Sequence, residues 1–129
     1  MNDKFCPAPW LSFYVDPSGN IENCCVSRNK LGNLEQGSDL KQVLFYGKNQ
    51  DIQKAMLSGE ELEGCAWCYG KSHTLQNRFF DLFPNRQDPL YKQGKFQLRY
   101  LDLRWSNVCN YACIYCGPEL SSTWANELN

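Results

Sequence analysis

Eight cysteines in 129 residues, set in close groups, constrain this chain more than any other feature. Cys109, Cys113 and Cys116 form C-x3-C-x2-C, and Cys65 and Cys68 form C-x2-C. Cys24 and Cys25 are neighbours, and Cys6 lies near the amino terminus. Thiolates are soft ligands, and several on one short loop suit an iron–sulfur cluster or zinc. A disulfide scaffold is the alternative for a short secreted chain. Against it, Met1-Asn2-Asp3-Lys4-Phe5 carries no apolar signal core. The tight spacings also favour metal ligation in a reducing compartment, so a cytoplasmic protein is expected.

Composition narrows the classes further. Hydrophobic residues make up 43% and charged residues 21%, which suits a globular chain rather than a disordered one. Thirteen basic side chains face fourteen acidic ones, for a net charge of -1. No strong field would draw the chain to nucleic acid or to an anionic membrane. No apolar run approaches the ~20 residues of a membrane span.

The trio at 109–116 follows a strand-like run from Leu98 to Trp105. A cubane has four irons, so three cysteines leave one iron without a protein ligand, and an open metal position is where a small molecule binds. This loop, with Tyr115 just before its last cysteine, resembles the signature of the radical S-adenosylmethionine (radical SAM) enzymes. The resemblance implies a [4Fe–4S] cluster on Cys109, Cys113 and Cys116, with SAM on the open iron and Tyr115 against the cofactor. It implies reductive cleavage of SAM to a 5′-deoxyadenosyl radical that takes hydrogen from a substrate, small molecule or peptide. A reductant such as ferredoxin or flavodoxin would supply the electron. The family's loop follows the first strand of a partial (β/α) barrel. A full barrel takes ~250 residues, so residues 98–129 would hold only its first β–loop–α unit, at the front of a longer enzyme or in a truncated frame.

Upstream, Met1–Phe5 reads as a short arm and Cys6–Pro9 as extended, because each proline pushes its predecessor towards β geometry. Residues 10–15 and 21–26 read as a β-hairpin around the turn Asp16-Pro17-Ser18-Gly19-Asn20. On a strand, Cys24 and Cys25 would face opposite sides, so one faces a site and the other is a small buried hydrophobe. Residues 27–37 read as loop. Ser38 caps a short helix with Leu40, Val43 and Leu44 inward, ended by Gly47. A second helix spans about 49–57, with Ile52, Ala55 and Met56 inward and Gly59 as its stop. A helix over 71–83, capped by Ser72, carries Leu75, Phe79, Leu82 and Phe83, and Pro84 ends it. Residues 84–97 are polar and read as a linker. Residues 119–128 look helical. The expected fold class is therefore α+β: a cysteine-rich hairpin-plus-helices unit over 1–83, the linker, and the incomplete barrel unit over 98–129.

Cys6, Cys24, Cys65 and Cys68 form a second set. Four thiolates drawn from a hairpin and a later loop close a tetrahedral zinc site or saturate a cubane, and either would staple a unit this small. The pattern C-x12-G-x4-C, then C-x2-C, is similar to the SPASM auxiliary-cluster region. With no further cysteine before Cys109, it is closer to the shorter twitch form. This resemblance implies a second [4Fe–4S] cluster on Cys6, Cys24, Cys65 and Cys68, with the glycine spacing selecting Cys24 over Cys25. Trp10 and Trp67 are expected to shield it. His73, the only histidine, reads as a solvated helix residue, and Asp102 with Arg104 as a surface pair or a SAM contact. A zinc-binding structural module and a non-catalytic electron-transfer protein are the rival classes.

Because later barrel strands complete the family's cofactor pocket, the 129-residue chain alone is expected to cleave SAM weakly at best. Measuring 5′-deoxyadenosine after anaerobic reconstitution tests this, and any turnover should vanish in Cys113→Ala.

Overall fold

A computed structural model describes residues 3–104, and these form an α+β fold. The readings placed on Trp105, the loop Cys109–Cys116 with Tyr115, and the 119–128 helix lie outside the described residues. Among the described residues, no helix is long and apolar enough to cross a membrane.

The sheet grows from the Asp16–Asn20 turn. Asp16 Oδ1 accepts from the backbone N–H groups of Ser18 and Asn20, both at 2.9 Å. Gly19 takes φ 84°, where a side chain would be strained. The turn pairs β1 (Ser12–Val15) antiparallel with β2 (Asn20–Glu22). A two-residue strand β3 (Gly32–Asn33) adds beyond β2, inside the stretch read as loop. On the other side, β4 (Tyr100–Leu103) pairs parallel with β1, giving the order β3-β2-β1-β4.

Both strands of the hairpin are shorter than expected. Residues 8–11 form the one-turn helix α1 (Ala8–Leu11), not extended chain. Pro7 and Pro9 tolerate it because first-turn N–H groups need no intrahelical partner. All four helical residues are buried, so packing overrides the bias that Pro9 places on Ala8. At the other end, β2 stops at Glu22, and Cys24 and Cys25 sit on the turn just beyond it.

Helix α2 (Leu40–Phe45) is capped by Asp39, whose carboxylate accepts from Gln42 N–H at 3.0 Å, rather than by Ser38. Gly47 opens the next helix instead of merely ending this one. Helix α3 (Gly47–Ser58) buries Ile52, Ala55 and Met56 as expected and ends on Gly59 in the left-handed region. A 3₁₀ turn (Glu63–Cys68) carries the C-x2-C pair. Helix α4 (Leu75–Leu82) begins later than its apolar spacing suggested, because Thr74 and Asn77 make a reciprocal capping box. His73 precedes it at φ 58° and is exposed, in a bend rather than a helix.

The described part of the arm and the linker are both folded. Phe5 is 0% exposed, in a core with Trp10, Leu11, Ile52, Met56 and Tyr91. Its ring centroid lies 5.3 Å from Trp10 and 5.1 Å from Tyr91. Tyr91 comes from helix α5 (Pro89–Gln93), within the stretch read as linker, and Phe96 from the same stretch enters a second core with Phe13, Val15, Ile21 and Leu44. Backbone N–H groups of Gln97 and Arg99 then bond the carbonyls of Trp10 and Leu11, both at 2.8 Å, and lead into β4. Polarity hid these anchors: Tyr91 and Phe96, with Leu90 packed against the first core, fold a segment most of whose other residues face solvent.

Truncating a buried aromatic removes its transfer free energy and leaves a cavity. Phe5→Ala and Tyr91→Ala are each expected to cost about 3–5 kcal/mol, measured by denaturant unfolding. A free arm and a free linker would leave both variants as stable as the parent.

Candidate metal centre

Cys6, Cys24, Cys65 and Cys68 all line one cavity. Cys25, next in sequence to Cys24, does not line it and is exposed, so it is not the small buried hydrophobe expected of it. The strand argument for separating the two thiols therefore fails in its premise: a turn, not strand alternation, sends them apart. Apolar surface from Ala8, Pro9, Met56, Leu75 and Phe79 completes the wall.

Three of the four cysteines are held by the residue that precedes them. Phe5, before Cys6, is locked in the aromatic core, and its carbonyl accepts from Gln76 Nε2 at 2.5 Å. Asn23, before Cys24, donates from Nδ2 to Asn49 Oδ1 at 2.7 Å. Asn49 in turn donates to the carbonyls of Pro9 at 2.9 Å and Leu44 at 2.7 Å. Gly64, before Cys65, accepts through its carbonyl from Arg28 N–H at 2.9 Å. The 3₁₀ turn is closed by the Tyr69 hydroxyl, which accepts from Leu62 N–H at 3.1 Å.

Burial of the sulfurs dominates the electrostatics. It pushes the Cys6 thiol well above its ordinary range, Cys24 up to about 12 and Cys65 up to about 11. Donors act in the opposite direction. The Ala8 N–H faces Cys6, those of Val26 and Ser27 face Cys24, and the Asn29 side chain donates to Cys65 Sγ at 3.3 Å. Lys4 stands at the rim, paired with Glu61 at 2.9 Å and 4.5 Å above the Tyr69 ring. Without a bound cation these thiols are neutral near pH 7. A metal supplies the charge that lets them ionise.

The cavity is only partly enclosed. Among the described residues, no three Cys, His, Asp or Glu side chains converge on one point as a single metal ion requires. The four cysteines line a shared space instead. As a donor set they suit a thiolate-bound group: four soft ligands, an apolar wall, and N–H donors at three of the four sulfurs.

Other expected residues fall elsewhere. Trp67 is 60% exposed, with the Lys71 ammonium 3.9 Å above its ring, and does not line the cavity. Trp10 is fully buried in the core behind Cys6. Arg104 Nε binds Asp102 Oδ1 at 2.8 Å, the surface pair. Asn29, Asn23 and Asn49 carry no signal in the sequence, since a carboxamide in a polar stretch has no pattern that marks it as buried or turned to sulfur. No family model, curated protein or solved structure matches the chain.

The raised thiols make stability depend on pH in one direction. A folded-state pKa above the unfolded value gives stability that is complete below the unfolded pKa and lost as pH rises through the folded one. The metal-free, reduced protein is therefore expected to weaken from about pH 9 towards pH 11–12. Denaturant midpoints across that range should fall more steeply for the parent than for Cys24→Ala/Cys65→Ala.

Proposed function

We propose that this chain is a radical SAM iron–sulfur protein whose described part is a twitch-like auxiliary-cluster unit. The reading is supported above all by one observation: four cysteines from distant points in the sequence line a single apolar cavity, while the fifth, Cys25, stands outside. A second support is the N–H donors, which favour thiolate over thiol at Cys6, Cys24 and Cys65.

Cys6, Cys24, Cys65 and Cys68 would hold the auxiliary [4Fe–4S] group, with all four irons carrying protein ligands. Cys109, Cys113 and Cys116 would hold a second, with SAM on its open iron and Tyr115 beside the cofactor. When bound, that second group supplies the electron that cleaves the SAM carbon–sulfur bond. The protein's own contribution at the auxiliary site is exclusion of water by Ala8, Met56 and Phe79 and fixed placement of the sulfurs. Both act on the potential of a bound cluster. A small-molecule or peptide substrate and an external one-electron reductant complete the scheme.

Anaerobic iron and sulfide counting, with electron paramagnetic resonance before and after adding SAM, tests the proposal. Two clusters are expected, one of them altered by SAM. Cys24→Ala should remove the SAM-insensitive cluster, and Cys25→Ala should keep both. A colourless protein carrying zinc would overturn the assignment.

A further inference from the structure

We infer that Asn29 is a positioning residue for the auxiliary site, a side-chain donor that raises the reduction potential of whatever iron–sulfur group Cys65 ligates. The inference rests on the auxiliary-cluster reading above.

Asn29 Nδ2 lies 3.3 Å from Cys65 Sγ. The contact joins the segment after Cys24 to the C-x2-C turn, two parts of the chain separated by 36 positions. It is built rather than incidental. Asn29 N–H donates to Ser27 Oγ at 3.1 Å, Ser27 N–H to the Cys24 carbonyl at 3.2 Å, and Arg28 N–H to the Gly64 carbonyl at 2.9 Å. The carboxamide is thus carried by a wound segment tied at one end to Cys24 and at the other to Gly64.

Gly64 supplies a second, independent observation. A methyl group there would overlap Asn29 Oδ1, with the rest of the carboxamide close behind. The backbone at Gly64 is not left-handed, so its lack of a side chain answers to space rather than to conformation. The space belongs to the Asn29 carboxamide.

The chemistry fixes which amide atom faces sulfur. A thiolate only accepts hydrogen bonds, so Nδ2 must point at Cys65 and Oδ1 away, as observed. Reduction adds negative charge to the cluster and its sulfurs. A donor is worth more to the more negative state, so it favours reduction. Backbone N–H groups face Cys6 and Cys24, whereas Asn29 donates to Cys65 from a side chain, which substitution can remove.

The test is a redox titration of the SAM-insensitive cluster signal in the full chain. Asn29→Leu is expected to shift the reduction equilibrium about tenfold towards the oxidised form, which is ~59 mV for one electron. Asn29→Asp should shift it further the same way, because a carboxylate repels the added charge. Gly64→Ala should lower the potential in the parent and leave it unchanged in Asn29→Leu, since the contact it disrupts is already gone. Equal potentials in the parent and Asn29→Leu, at equal iron content, would overturn the inference. If Asn29→Leu fails to load iron, Gly64→Ala decides: an unshifted potential there has the same force. A parent that assembles no SAM-insensitive cluster sinks the auxiliary reading instead, and the two failures are thereby told apart.

Discussion

The ring of Phe5 is held between Trp10 and Tyr91, and the place of Cys6 depends on it. Aromatic contacts of this kind add to area burial and fix relative orientation. Because Tyr91 arrives from α5, the same contact binds the start of the described chain to a segment some 86 positions later, the difference between 91 and 5. The core also packs directly on Cys6 and Cys65. The thiol cavity is therefore a lateral extension of the hydrophobic core, not a loop feature on its surface.

Placing thiols against a core has an electrostatic consequence. Apolar walls stabilise the neutral form, so burial raises the thiols of Cys6, Cys24 and Cys65. Backbone and carboxamide donors moderate this without charge of their own. On the proposed reading, loading a metal here would release protons. Cys25 lies outside this environment, beside the Asp102–Arg104 pair, and shows how sharply one residue of displacement changes a thiol's surroundings.

The parallel pairing of β4 with β1 ties the hairpin to the stretch of chain that leads towards the second cysteine group. Arg104 N–H bonds the Val15 carbonyl at 2.9 Å, so the last described residue is anchored to the hairpin. Cys109 comes five positions later in the sequence.

Much of this organisation could be read from the sequence. Asp16, Pro17 and Gly19 demand a turn whatever surrounds them, because the side-chain oxygen and the open φ act locally. Ile52, Ala55, Met56 and Gly59 likewise announce a helix and its end. The resemblance carried by Cys6, Gly19, Cys24, Cys65 and Cys68 implied the same four thiols that the fold brings to one cavity. What tertiary structure alone decided was long-range. Pro7 and Pro9 favour extended chain until burial of Trp10 and Leu11 makes a helical turn the better packed choice. Tyr91 and Phe96 look like isolated aromatics in a polar linker until their rings find the two cores. Asn29 meets Cys65 only because a wound segment and a 3₁₀ turn come together, and no local pattern encodes an encounter between residues so far apart.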